Sequence, residues 1–425
     1  MSRFLFEPAT AAHDADLRRL FAENAMEGEI EVSFRREPSY FYASQVQGPF
    51  HQVIAVRDTR TGEVIGVATR AVRSGFLNGQ ATSVGYLADM RLDSRYRSGL
   101  LVARAYRYLE GLHQDGRTRL YFTVIADGNR RALETLAAGR AGLPPYRDLG
   151  RLLSPAVNLL RPKPPLPGGV EVVRGSEALL PEIVACLNRN GSRRQFAPCY
   201  SVEQFLGAGG AKKYGGMGVW VYGSEGAKER RDGETQGCMG LPASDYPIHN
   251  PRPAFETPIH PHPHTPALRD FFPQDFYAAV RKGQVVGVVG KWDQSAYKQT
   301  VVTRYRGKVR LLRPLYNLGA SVFGCPRFPD PGTPLRSFYA AFIAVDHDDV
   351  EVFRALLRRL YNDHVGSGYT YFLAGLHERD PLAAALSDYS LTPFAGRLFA
   401  VHFSDGEEAF RSLDDRVPYV ELAML

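Results

Sequence analysis

The sequence predicts a mixed α/β protein made of two tandem copies of one unit, the second broken by a long Gly/Pro-rich insertion. Three observations carry this. Segments of the first part recur in the same order in the second. The proline-rich stretch RPKPPLPGG, Arg161 to Gly169, stands between them as a stiff linker, because proline fixes φ and cannot donate to a ladder. A polar Gly/Pro tract at about 207–270 interrupts the second copy and is too poor in apolar residues to bury much surface. The expected division is 1–163 and 170–425.

Each copy opens with a polar cap before an amphipathic helix: TAAHDADLRRLFAENA from Thr10, SEALLPEIVACLNRNG from Ser176. Each of these helices carries an asparagine near its end, Asn24 and Asn190. Hairpins follow, IAVRDTRTGEVIGVATRAV from Ile54 and AAVRKGQVVGVVGKWD from Ala278, with a shorter turn in the second. Later, RTRLYFTVIADGNRRALETL and GYTYFLAGLHERDPLAAAL each read as apolar strand, polar turn and short alanine-rich helix. GRLLSPAVNLL and GRLFAVHF read as closing strands. The order gives a sheet antiparallel early and with parallel crossovers late.

Composition narrows the function. The 425 residues are 44% hydrophobic and 23% charged, as in a soluble globular chain, with no apolar run long enough to span a membrane. The charged N-terminus lacks a signal-peptide core, so the cytoplasm is the expected compartment and no membrane partner is expected. A net charge of +7 favours an anionic ligand, but the arginines are dispersed among acids rather than gathered in a stripe, which argues against nucleic acid. The four cysteines, Cys186, Cys199, Cys238 and Cys325, are too far apart for a zinc knuckle or redox pair. His260, His262 and His264 alternate with prolines and have no adjoining carboxylate or cysteine, so no metal is expected.

The chemistry-bearing stretch is TSVGYLADMRLDSRYRSGLLVARAYRYLEG, from Thr82. It reads as a buried strand, a turn rich in arginine, and a helix. Gly85 inside the strand suggests a bulge or a close approach by a ligand. Leu101, Ala105, Tyr108, Leu109 and Leu112 recur at helical spacing and should face the core. A strand–turn–helix presents free N–H groups and the positive end of the helix dipole, and arginines add charge-assisted bonds for an anion. Ser98 can cap the helix and Gly99 keeps the turn uncrowded.

This stretch resembles the GNAT superfamily of acyl-CoA-dependent N-acyltransferases over nearly all of residues 3–160, and more loosely over 170–206 and 271–404. LADMRLDSRYRSGLL matches the family's strand end and its entry to the pyrophosphate turn, with one glycine in place of several. The resemblance implies tandem GNAT-like mixed-sheet domains with acetyl-CoA as cosubstrate. It implies that Met90, Arg91, Leu92, Arg95, Tyr96, Arg97, Ser98, Gly99 and Leu100 hold the CoA, with Asn129 beyond the next strand. Leu136 stands where the family has the tyrosine that protonates the leaving thiolate. The second copy's turn, FIAVDHDDVEVFRALLRRL, has no glycine and carries Asp346, Asp348, Asp349 and Glu351, so it should not take a pyrophosphate. Those acids equally suit a helix N-terminus.

A thioester carbonyl would then meet a backbone N–H between Leu87 and Met90. An amine attacks only when neutral, so a carboxylate or water chain must take its proton. Asp89 and Glu31 are the candidates; each could instead be a structural acceptor or a solvated acid. Tyr40, Phe41 and Tyr42 could wall a pocket or fill the core. His377 ends a strand of copy two, where it could face the cleft or be buried and satisfied. The implied activity is N-acetyl transfer, or transfer of a related acyl group, to the amine of a small molecule or protein. The alternatives are a catalytically inactive GNAT-like sensor or scaffold binding CoA or another anion, and transfer from an aminoacyl-tRNA. A homo-oligomer stays open.

Overall fold

The structure is a computed structural model that describes residues 3–25, 28–96, 99–137, 139, 142–166, 168, 170–206, 268–323 and 327–425, without the side chains of 99 and 321–323. Most of the 207–270 tract, with its three alternating histidines, lies outside the described residues, as do Arg97, Ser98, Cys238 and Cys325.

The first half runs β1 (Phe4–Pro8), α1 (Asp14–Glu23), β2 (Ile30–Arg35), α2 (Tyr40–Gln45), β3 (Phe50–Asp58), β4 (Val64–Leu77) and β5 (Gln80–Leu92). It continues with α3 (Gly99–His113), β6 (Tyr121–Ala126), α4 (Arg130–Leu136), β7 (Tyr146–Leu153) and β8 (Ala156–Asn158). The second half runs β9 (Glu171–Arg174), α5 (Leu180–Gly191), β10 (Phe276–Arg281), β11 (Gln284–Trp292), β12 (Gln299–Tyr305), α6 (Gly307–Phe323) and β13 (Ser337–Val345). It closes with α7 (Val350–His364), β14 (Tyr371–Ala374), β15 (Leu376–His377), β16 (Leu391–Thr392), β17 (Ala395–Val401) and α8 (Glu407–Arg411).

Two sheets form, and they trade strands. One has the order β1-β3-β4-β5-β6-β17-β7-β15 and the other β16-β8-β14-β13-β11-β10-β9. Thus β17, from the end of the chain, enters the first half's sheet between β6 and β7, while β8 enters the second half's sheet between β14 and β16. The crossing is reciprocal: each half places its last strand in the other's sheet. A separate two-stranded ribbon pairs β2 with β12, antiparallel, again across the halves.

The duplication shows in small features as well as order. Asn24 Nδ2 donates to Leu20 O at 2.8 Å, and Asn190 Nδ2 donates to Cys186 O at 3.0 Å, so both asparagines close the equivalent helix in the same way. Both β4–β5 and β11–β13 carry a bulge, and each bulge holds a residue with left-handed backbone, Asp89 and Phe342, at φ 56°.

Two expectations change. The bulge in β5 sits at Asp89, not Gly85. A Cβ on Gly85 would lie 2.1 Å from a ring carbon of Tyr121, so the close approach there is an aromatic ring and not a ligand. In α3 the buried stripe is Leu101, Val102, Tyr106 and Leu109, while Ala105, Tyr108 and Leu112 are half-buried. Tyr108 stacks instead on Phe6 of the edge strand, ring centres 5.9 Å apart.

Candidate functional site

β5 and β6 are parallel neighbours for only two register pairs, Gly85–Tyr121 and Tyr86–Phe122. Beyond them β5 runs on to Leu92 and β6 to Ala126 without pairing, so the sheet opens into a wedge. Thr123 marks its apex, its hydroxyl donating to Leu87 O at 2.8 Å. The bulge at Asp89 lies on the wall of this wedge: Thr69 of β4 pairs with Ala88, and Val67 with Arg91, which leaves an extra residue in β5. Aspartate is among the few residues that tolerate this backbone region.

The Asp89 carboxylate is anchored. Oδ2 accepts from Gln47 Nε2 at 2.9 Å and from the Tyr40 hydroxyl at 3.4 Å, and Arg36 Nη2 stands 3.7 Å from Oδ1. Tyr40 is fully buried, so of the three aromatics expected as pocket wall or core it is core, with its hydroxyl turned to the bulge. Among the described residues no side chain bonds to the main-chain amides of Asp89 or Met90.

Past the bulge, the predicted residues follow one another along strand, turn and helix. Met90 is 37% exposed. Arg91 turns toward α1, its guanidinium 4.0 Å from the Phe21 ring centre and Nη1 donating to Asn24 O. Leu92 is half-buried. Arg95 folds back on Asp93 at 2.8 Å, with Glu63 at 3.5 Å, and this hydrogen-bonded cation holds the Asp93 carboxyl below its ordinary range. Tyr96 packs edge-on against Phe4 and pins the turn to β1. Gly99 opens α3, and Leu100 beside it is 81% exposed. Across the wedge, Asn129 caps α4 through Ala132 N at 3.1 Å, and Leu136 is buried in the core.

Among the described residues Glu31 makes no hydrogen bond or ion pair with this group. It pairs with Arg306 across the β2–β12 ribbon at 2.6 Å. His377 is buried with both ring nitrogens engaged: Nε2 faces Leu149 O at 2.9 Å and Nδ1 accepts from Arg379 N at 3.2 Å. Burial pushes its pKa down, as fits a neutral, satisfied histidine.

Sequence reasoning missed the groups that come from afar. Lys298, between β11 and β12, points into the seam between the halves. Its Nζ donates to the main-chain oxygens of Ala423 at 3.1 Å and Leu425 at 2.9 Å. Burial, aided by the charge of Arg36 and opposed by Asp89, pushes its pKa down to about 7. No short-range pattern marks Lys298, Arg36 or Gln47, because they meet Asp89 only through the tertiary fold.

The second half has the same two stations, and its own side chains fill both. At the bulge, Phe342 N donates to Glu421 Oε2 at 2.6 Å and Ile343 N to the Tyr419 hydroxyl at 3.1 Å, while that hydroxyl donates to Glu421 at 2.8 Å. An aromatic residue at positive φ is a strained choice. Phe342 is held there by Phe205, Phe271, Phe276 and Trp292, with ring centres 4.6 to 5.5 Å away. At the turn, Asp349 caps α7 through the amides of Glu351 and Val352. Asp346 is bound by Arg189 and Asn190, and Asp348 by Arg193 and Arg194. The acids therefore serve both as dipole partners and as internal ion pairs.

Among the described residues no group of three or more His, Cys, Asp or Glu could hold a metal. No protein-family model matches the sequence, and no curated protein matches it. Solved structures do. The chain is similar to Saccharomyces cerevisiae N-myristoyltransferase with bound myristoyl-CoA, at TM-score 0.51 and 10% identity over 94% of this chain and 83% of that one. A second structure of the yeast enzyme with myristoyl-CoA matches at TM-score 0.51 and 11% identity, over 95% of this chain and 79% of that one. A GCN5-related N-acetyltransferase from Sphaerobacter thermophilus aligns over 95% of this chain and 96% of its own, at 11% identity and TM-score 0.46. At such identities the likeness is one of fold, and the fold is the tandem GNAT-like one expected from the sequence.

Proposed function

We propose that this tandem GNAT-fold chain is an acyl-CoA-dependent N-acyltransferase whose first half does the chemistry, moving an acetyl or related acyl group to an amine. The observation that carries the reading is the contrast between the two bulges. The amides of Phe342 and Ile343 are taken by Glu421 and Tyr419, whereas among the described residues no side chain bonds to those of Asp89 and Met90, in the stretch where β5 has parted from β6. The yeast enzyme similar in fold carries myristoyl-CoA, which supports a CoA thioester as donor.

In this reading the wedge takes the pantetheine arm, between β5 and the Asn129 end of β6. The turn from Arg95 to Leu100 and the N-terminus of α3 take the pyrophosphate, with Arg97 and Ser98 part of it. The Asp89 and Met90 amides would bind the charge that develops on the carbonyl oxygen, where a placed donor is worth about 3–4 kcal/mol. Asp89 is the carboxylate nearest the reacting atoms and is proposed to take the proton of the attacking amine, through water if the geometry requires it. Glu31, already paired with Arg306, contributes to the acceptor side through the ribbon. With leucine at 136, water must protonate the departing thiolate.

A second reading, a binding protein without turnover, is favoured by Leu136 and by the commitment of Arg95 to Asp93 and Glu63. Thermal shift and native mass spectrometry with acetyl-CoA and longer acyl-CoAs test both. Binding of one thioester, abolished by Gly99→Trp, is expected. No binding of any CoA ester would end the first reading and leave the second only with another anion. Binding without amine-dependent CoA release over a broad amine panel would leave only the second. Asp89→Asn keeps a residue tolerant of positive φ and should lower turnover by about a hundredfold or more.

A further inference from the structure

The helix α6 turns its polar side inward. Arg313 lies 5.0 Å from the Tyr305 ring centre and pairs with Asp330, Asn317 exchanges two hydrogen bonds with the main chain of Phe328, and Ala320 is buried. These residues recur at helical spacing and form the packed face. The opposite face carries Leu311, Leu312, Leu315 and Leu318, which are 78, 58, 69 and 72% exposed. Scattered exposed leucines need no explanation, but four on two turns of one helix form a patch of the kind that marks an interaction surface.

We propose that α6 docks this protein on an anionic lipid surface. The charge around the leucines selects that partner. Residues 304–323 contain Arg304, Arg306, Lys308, Arg310 and Arg313 and no acid. Arg306 and Arg313 are spent on Glu31 and Asp330. Arg304, Lys308 and Arg310 are exposed and make no ion pair among the described residues. A leucine ridge flanked by free cations is the pattern of a helix that lies in a membrane interface, with its apolar side in the acyl boundary and its cations at the headgroups. A second copy fits less well, because a two-fold contact through this face would bring Lys308 and Arg310 close to their own equivalents. No helix of the described residues is long and apolar enough to cross a membrane, so the attachment is peripheral. The expectation of no membrane partner rested on the lack of a spanning run, and an interfacial helix escapes that criterion.

The test is co-sedimentation of the full chain with vesicles of phosphatidylcholine alone or doped with phosphatidylglycerol. The wild type should partition onto the anionic vesicles and be largely released by high salt. The triple variant Leu311→Ser, Leu315→Ser, Leu318→Ser and the double variant Lys308→Glu, Arg310→Glu should each lower partitioning by about tenfold or more. All these side chains are exposed, so melting temperature and acyl-CoA binding should match the wild type. Failure of the wild type to bind either vesicle would overturn the proposal. So would a triple variant that binds as well as the wild type, or a wild-type dimer that the leucine changes dissolve.

Discussion

Gly85→Ala is the sharpest probe of how the wedge is set. Gly85 and Tyr121 form the first of the two pairs that join β5 to β6 before they part. A methyl at 85 would stand 2.1, 2.5 and 2.8 Å from three carbons of the Tyr121 ring, where ordinary contact begins at 3.4 Å, so the ring must retreat by more than 1 Å. It has nowhere to go. Tyr121 is fully buried, and its hydroxyl accepts from Arg70 Nε at 2.9 Å and meets His113 Nδ1 at 2.9 Å. Arg70 is buried too, and Asp115 clamps it through two bonds of 2.8 and 2.7 Å. Overpacking of this kind costs about 1–3 kcal/mol. Losing the bond from a buried guanidinium adds about 1–2 kcal/mol. The expected loss is therefore about 2–5 kcal/mol, or a urea midpoint lower by about 0.7–1.7 M for a slope near 3 kcal/mol/M. On the proposed function, acyl-CoA affinity should fall with it, because this pair helps join β5 to β6 just before they part. In a Tyr121→Ala background the same change should cost under about 1 kcal/mol, since the clashing ring is gone. A Gly85→Ala protein within about 0.5 kcal/mol of wild type would mean that β5 and β6 do not meet in this register.

Three further outcomes follow from the seam and the wedge. Burial raises the pKa of Glu421 despite its three donors, so the native state holds its proton to higher pH than the unfolded chain, and stability is lost as pH rises through the interval above the ordinary carboxylate range. Glu421→Gln should remove that loss: urea titrations of the two proteins should diverge from acid to neutral pH in favour of glutamine, and parallel curves would refute the burial. Lys298, pushed down to about 7 by burial and Arg36, binds fewer protons folded than unfolded above that pH, so stability should climb with pH between neutrality and the ordinary lysine range. Lys298→Met should flatten the climb, and an unchanged slope would assign it to other groups. Asn129→Ala should cost about 1 kcal/mol by uncapping α4. A cost indistinguishable from zero by chemical denaturation would show that the cap does not hold the far wall of the wedge.

Much of the architecture is legible in the sequence because it is local. The hairpins, α1 and α5, and the asparagines that close those helices are set by spacing and by side chains three or four residues apart. The strand exchange is not, because β8 and β17 read as strands whichever sheet receives them, and partner choice is made across more than two hundred residues. The bulge was anticipated in the right strand but assigned to Gly85, since glycine is the usual signal for unusual backbone. Here the unusual backbone falls on Asp89, and the glycine is explained by a ring from the neighbouring strand. The break in the chain after β5, a short helical turn at Ser94–Tyr96 before α3, is legible in its residues. What surrounds the bulge is not: Gln47 and Arg36 meet Asp89, and Lys298 feels its charge, only through the tertiary fold, a relation with no period in sequence.

The two halves explain each other. Each half has a bulge in its central strand pair and a helix N-terminus after it. In the second half the chain itself satisfies their amides: Glu421 and Tyr419 at the bulge, Asp349 at the helix. Buried donors left open would each cost about 1–3 kcal/mol, so this filling stabilises the second half. In the proposed function, a thioester carbonyl would take the corresponding place at the first half's bulge. Among the described residues that bulge's amides meet no side chain, and Leu100 and Met90 are exposed. The exchanged strands then matter to function as well as to stability. The segment that follows β17 carries Glu421 to the second half's bulge and the main-chain oxygens that hold Lys298, whose ammonium feels the charge of Asp89 at the first, so one segment ties both bulges to the seam.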